Sequence, residues 1–389
     1  MTRARTLADY VAGGTTATEF DYLDGVTSNV QTQLDNKPSK NMIINGAMQV
    51  AQRGTITGAT SGAFGGPDRF AIHEAGDLVV TMSQDSDVPT GQGFASSMKL
   101  DVTTADSSVA NADYAYLGYK FEGQDVQSLR KGTANAMAVT LSFWIKSTIT
   151  GTYIIQLYDN DNSRHISKSY TVSVSNTWEK KTITFAGDTT GAFGNDNAYS
   201  LQVYFWLMAG ADYTGGTLAS SWASFTQGNA SVGQVNAVNS ASNNIFITGV
   251  QLELGSSATP FEHRSFSDEL ARCQRYCHVI GDTVSQAFGP GVMYTSTNGI
   301  IYVTTPVPMR STPTLSKNAG GTGTTWLHSY VGASGLTSNP TPEIGELSTN
   351  GRTSTYRIYV PSSNNSTTAG YGSWNMIMPN ASFTFNAEL

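Results

Sequence analysis

The sequence predicts a mainly β protein: a central antiparallel β-sandwich of jelly-roll type, preceded by a short N-terminal helical trimerisation segment and followed by a small C-terminal β domain. Three observations carry that expectation. Only 13% of the 389 residues are charged and 39 are glycine, so Ser, Thr and Asn supply the polarity, a composition that favours strands and turns over helices. Several segments alternate apolar and polar residues with period two. Clusters of Gly, Asn and Asp separate those segments at hairpin spacing. Together they exclude a helical bundle, and the length allows a sizeable core.

Residues 1–39 form the helical segment. Thr16 and Glu19 fit a capping box, and Phe20, Leu23, Val26, Val30 and Leu34 recur at spacings of three and four. Gly25 interrupts the stripe, Thr27 or Ser28 can cap a second turn, and Pro38 ends it. Isolated helices this short are marginal in water, so the stripe is expected to bury itself against copies of the same segment.

Residues 40–264 read as the sandwich. Across 139–146, Val139, Leu141, Phe143 and Ile145 fall on one face and Thr140, Ser142, Trp144 and Lys146 on the other. Residues 199–207 repeat the arrangement, with Ser200, Gln202, Tyr204 and Trp206 opposite the core side. Further strands are expected at 153–158, 166–174, 178–185 and 245–254, with Asp159-Asn160-Asp161-Asn162 as a hairpin tip. Residues 265–389 open with a short helix capped by Ser267 and return to strands at 292–294, 300–305, 355–360, 374–378 and 382–385.

Chemistry is sparse. A net charge of −7 argues against a protein that wraps nucleic acid. The pairs Arg130-Lys131 and Lys180-Lys181 read as solvated turns. No apolar run is long enough to span a bilayer, so no membrane insertion is expected, and the first residues do not read as a signal peptide, which points to synthesis in a cytosol. Cys273 and Cys277, four apart on one helix, suit packing better than a bridge or a zinc site. The five histidines form no HExxH pair, and no GxSxG elbow, Walker loop or dinucleotide fingerprint occurs. No enzyme is expected. Trp144, Tyr204 and Trp206, facing away from the core among hydroxyls and amides, are the candidate glycan-binding residues, since sugar C–H faces lie on aromatic rings. Cover by a loop or a neighbouring subunit is the other account of the same rings.

Three stretches resemble bacteriophage tail-fibre proteins. Residues 17–35, Ala17-Thr18-Glu19-Phe20 through Gln33-Leu34-Asp35, are similar to a short helical element of phage fibres, which implies a parallel homotrimer built on Phe20, Leu23, Val26, Val30 and Leu34. The run Asn41-Met42-Ile43-Ile44-Asn45-Gly46 through Gly54-Thr55 resembles the opening of a jelly-roll module of phage tail proteins. Its usual ending matches Ile247-Thr248-Gly249-Val250-Gln251-Leu252-Glu253-Leu254-Gly255, followed by 258–264 and 269–276. The module also resembles jelly-roll carbohydrate-binding modules, whose structural calcium is commonly held by an acid after the opening Asn-Gly element and another in the last strand. Here Gln49 and Gly249 stand at those positions and supply no carboxylate, so neither metal nor cofactor is expected. The resemblance implies a structural virion protein of a tail fibre that attaches to the tail or an adaptor and contacts host surface glycans. A virion-borne glycan depolymerase and a purely structural fibre or adaptor are the alternatives.

Overall fold

The computed structural model describes residues 40–282, 286–293, 298–319, 327–331, 336–338, 343–345, 355–361, 372–377 and 381–389. Two compact units divide the chain, Met1–Lys40 and Asn41–Leu389. The stripe of Phe20, Leu23, Val26, Val30 and Leu34 lies outside the described residues.

The second unit is mainly β. Its first strands are β1 (Ile56–Ala59), β2 (Ala63–Phe64), β3 (Phe70–Ala75), β4 (Val79–Asp85), β5 (Ser97–Thr104) and β6 (Tyr114–Glu122). Next come β7 (Val139–Ser147), β8 (Gly151–Asp159), β9 (Arg164–Val172), β10 (Glu179–Phe185), β11 (Tyr199–Ala209), the one-turn helix α1 (Ala211–Thr214), β12 (Ala223–Ser224) and β13 (Asn244–Leu254). They build two antiparallel sheets, a six-stranded one in the order β1-β4-β5-β13-β7-β10 and a seven-stranded one in the order β12-β9-β8-β11-β6-β3-β2. Period-two alternation sends one face of each sheet into the shared core. There Phe143 of β7 meets Phe205 of β11 edge-on with centroids 5.1 Å apart, and Tyr170 of β9 at 5.3 Å.

The strand expected to reach residue 174 stops at Val172. Its next two backbone N–H groups, of Ser173 and Val174, donate to the Glu179 carboxylate at 2.7 and 2.8 Å, which turns the chain into β10. Asn160–Ser163 make the expected tip between β8 and β9. The basic pairs differ from expectation. Lys131 is buried, with its ammonium 2.5 Å from Asp159 and 3.1 Å from Asp188 and the carbonyls of Thr190 and Gly191 each at 2.8 Å. A buried ammonium is tolerated only when oxygens surround it in this way. Lys180 and Lys181 lie within β10 and not in a turn.

Helix α2 (Phe266–Gln274) follows the sandwich. Its N-cap is Ser265 and not Ser267: the Ser265 hydroxyl accepts from the Asp268 N–H at 3.2 Å, which starts the helix one residue beyond it. Cys273 and Cys277 are buried free thiols. The later strands are β14 (Cys277–Asp282), β15 (Gln286–Met293), β16 (Asn298–Thr304), β17 (Thr314–Ala319), β18 (Leu327–Val331), β19 (Leu336–Ser338), β20 (Glu343–Gly345), β21 (Thr355–Pro361), β22 (Gly372–Ile377) and β23 (Ala381–Asn386). They form a sheet β14-β23-β17 and a sheet β19-β18-β22-β15-β16-β21-β20. Phe383 and Phe385 of β23 pack with Ile301, Val303 and Ile358.

Beyond β23 the Glu388 carboxylate is held between the Arg53 and Arg69 guanidinium groups, both turned inward from the sandwich. The Arg69 guanidinium lies 3.4 Å from the Tyr276 ring centroid and Arg69 is 2% exposed. Removing the charge of Glu388 leaves Arg69 buried and unpaired. In urea unfolding, Glu388→Gln is expected to destabilise the protein by about 3–5 kcal/mol; a loss under about 1 kcal/mol contradicts the pairing.

Candidate functional site

Trp144 sits on the outer face of β7 because Leu141, Phe143 and Ile145 alternate into the core. Its cross-strand neighbours are Lys180 on β10 and Thr248 on β13. Immediately after Thr248 the register of β13 slips. Gly249 takes φ +61 there, and a Cβ on it would stand 2.6 Å from Phe94 Cζ and 3.1 Å from Trp144 Cδ1. A glycine bulge is therefore what lets Phe94 and Trp144 flank an opening in the face of the sheet.

The segment after β13 returns across this face as a wall. Thr259 is fixed by Glu253, donating its N–H at 2.8 Å and its hydroxyl at 2.7 Å, and the Glu262 N–H donates to Gln251 Oε1 at 2.8 Å. Phe94, Phe261 and His263 then form a ring cluster with centroids 4.9–5.2 Å apart. The result is a groove of about 500 Å3 lined by Trp144, Phe94, Phe261 and His263 with Gln92, Ser142, Lys180 and Thr259. Among the described residues Trp144 stacks on no other ring, and it is half-buried at the groove.

The structure does not bring the three sequence candidates together. Tyr204 and Trp206 belong to β11 of the seven-stranded sheet, so their outward side is the opposite side of the sandwich from Trp144. Tyr204 lies parallel on Tyr116 with centroids 4.2 Å apart, and Tyr116 stacks on His73 at 5.0 Å. Burial pushes the Tyr116 and Tyr204 phenols up. Their ring faces are largely taken by each other. Trp206 points away from the core between the sheets, as alternation requires, yet is 2% exposed. The segment that begins with α1 folds back over it, placing Tyr213 at 5.5 Å and Ala230 against its ring. Phe94, which lines the groove, carried no sequence signal, while Phe261 and His263 fall in the 258–264 stretch, which the sequence marked only as part of the module's ending.

The buried side of Trp206 ends in a polar chain. Its Nε1–H donates to Gln156 Oε1 at 3.0 Å, which turns the Gln156 amide nitrogen to His165 Nδ1, also at 3.0 Å. Nδ1 accepts there, and the Thr226 N–H approaches Nε2 at 3.5 Å; a cationic ring with an N–H on each nitrogen would face two donors, so the ring is neutral. Burial lowers the His165 pKa to about 4, as burial and the Lys120 charge do for His73.

Two outcomes follow for this face. Trp206→Ala is expected to cost about 3–5 kcal/mol in chemical unfolding, as a core residue does. Because the folded pKa of His165 lies below its unfolded value of about 6.5, the unfolded chain binds the extra proton between about pH 6.5 and pH 4. The His165 contribution is present above about pH 6.5 and is lost as pH falls toward 4. The stability difference between the native protein and His165→Asn is expected to shrink across that window in urea titrations; a pH-independent difference contradicts the neutral ring.

No family model and no curated protein matches this chain. Solved structures do. The enzymatically active domain of tailspike protein 4 of bacteriophage CBA120 matches at 19% identity and TM-score 0.31, covering 55% of this chain and 21% of that one. The family 11 carbohydrate-binding module of a cellulosomal cellulase of Clostridium thermocellum matches at 12% identity and TM-score 0.27, covering 53% of this chain and 97% of the module. A tandem family 22 carbohydrate-binding pair from Paenibacillus barcinonensis matches at 9% identity and TM-score 0.28, covering 90% and 98%. Likenesses this low transfer no role. Among the described residues no three His, Cys, Asp or Glu side chains gather as metal ligands would, and no helix is long and apolar enough to cross a membrane.

Proposed function

We propose that this chain is a non-catalytic virion protein of a phage tail fibre, a homotrimer that attaches to the tail or an adaptor and binds host surface glycans through the groove beside Trp144. The observation that carries the glycan reading is the groove itself. An indole whose faces meet no other ring lines about 500 Å3 of open space with amide, hydroxyl and ammonium groups around it, which suits a pyranose lying on the ring with its hydroxyls directed to the rim. The fibre reading rests on the resemblance of residues 17–35, 41–55 and 247–276, and the trimer on the apolar stripe from Phe20 to Leu34. Three linked copies turn weak single-site binding into firm adsorption.

Two measurements test the proposal together. Light scattering of the whole chain is expected to give three times the mass of one chain; a monomer overturns the assembly. Trp144→Ala is expected to keep that mass and lower per-site glycan affinity at least tenfold, a change of about 1.4 kcal/mol, with adsorption to host cells lost. Unchanged adsorption by a folded Trp144→Ala trimer removes the groove from the function.

A further inference from the structure

We propose that the groove beside Trp144 selects an acidic saccharide, one carrying a carboxylate as uronic and sialic acids do. The proposal rests on the reading of the groove as a saccharide site and adds the class of sugar. Its starting point is charge. Lys180 lines the groove and is exposed, and no carboxylate lines it. Lys180 stands directly across the strand pair from Trp144, so its side chain rises from the same face beside the indole, within reach of a substituent on a sugar stacked there.

The acids near this face are engaged elsewhere. Glu253 accepts from Thr259 and Gln251. Glu262 accepts from the Asn41 N–H and pairs with Arg264. Asp87 takes the Lys146 ammonium and the Trp178 indole N–H. Glu179, next to Lys180 in sequence, turns to the other side of the strand pair, where it pairs with Lys181 and caps two backbone N–H groups. Among the described residues no ion pair neutralises Lys180. On a protein of net charge −7, an unpaired ammonium beside the groove-lining indole favours an anionic ligand at contact range, because the distant negative charges are screened beyond about 8–10 Å at physiological salt. A carboxylate there gains a charge-assisted hydrogen bond from Lys180, stronger than any neutral hydroxyl would make.

The test uses matched pairs that differ only in the carboxylate: oligogalacturonides against their carboxyl-reduced galactans, and sialyllactose against its analogue with the sialic acid C1 carboxyl reduced to the alcohol. They are titrated onto the full-length protein, Lys180→Gln and Trp144→Ala. Acidic members are expected to bind at least fivefold tighter than their neutral partners. Lys180→Gln should bring the acidic-to-neutral affinity ratio to about one while leaving the melting temperature unchanged, and raising salt from about 50 to about 500 mM should weaken acidic binding more than neutral binding. The pair that binds tells uronic from sialic acid. Equal binding of acidic and neutral members, unaltered by Lys180→Gln, overturns this inference and leaves the saccharide reading standing. Binding of neither kind, or binding indifferent to Trp144→Ala, overturns both.

Discussion

The architecture depends on a buried polar clasp that closes the sandwich at its seam. Asn41 donates through its side chain to the Val250 carbonyl at 3.0 Å and accepts from the Leu252 N–H at 3.1 Å, tying the entry of the jelly roll to its last strand. Asn45 repeats the device, bonding the Val50 N–H and carbonyl, while its own N–H donates to Glu269 of α2. Arg264 joins the three segments, reaching the Ile43 carbonyl at 3.1 Å and Glu269 at 2.8 Å. Buried amides and charges of this kind are costly when any partner is missing. The clasp therefore specifies one alignment of segments some two hundred residues apart in sequence. The groove inherits that precision: Glu262, held by the Asn41 N–H and Arg264, anchors the wall that carries Phe261 and His263.

A charge-poor chain spends many of its ions inside. Lys131 sits among Asp159, Asp188 and two carbonyls, Arg275 pairs with the buried Glu122 at 2.6 Å, and Arg69 and Arg53 share Glu388. Lys131 replaces its solvation with two carboxylates and two carbonyls, and loss of one partner from a buried pair such as Arg69 and Glu388 is costly. Among the described residues carboxylates such as Asp161, Asp196 and Asp212 stay exposed, while Lys180 is one of few exposed cations, which makes its unpaired ammonium distinctive.

The two outer faces of the sandwich differ for one reason. Both sheets send large aromatics outward, but the seven-stranded sheet has a long excursion, from α1 to the start of β13, that folds back and encloses Trp206. Its tyrosines stack on one another across strands and consume their own faces. The six-stranded sheet has a glycine bulge in place of such a cover. Gly249 leaves Trp144 and Phe94 apart with open space between them and the returning wall.

Strand periodicity in the sequence was enough to establish the mainly β class, the antiparallel sandwich and the side of the sheet on which Trp144, Tyr204 and Trp206 stand, because alternation is a local property of the backbone; cap and helical spacing marked the short helix after it, though with the cap at Ser267 in place of Ser265 and with Cys277, which opens a strand, on its face. It could not tell that Trp144 and Trp206 lie on opposite sides of the molecule, since that follows from which sheet each strand joins. Nor did it separate Lys131, read as solvated, from Lys180: the difference is set by Asp159 and Asp188, brought to Lys131 by the hairpin and the loop after β10. Burial of an outward ring, pairing of a lone ammonium and the opening of a groove are sums over segments distant in sequence. Only the packed chain decides them.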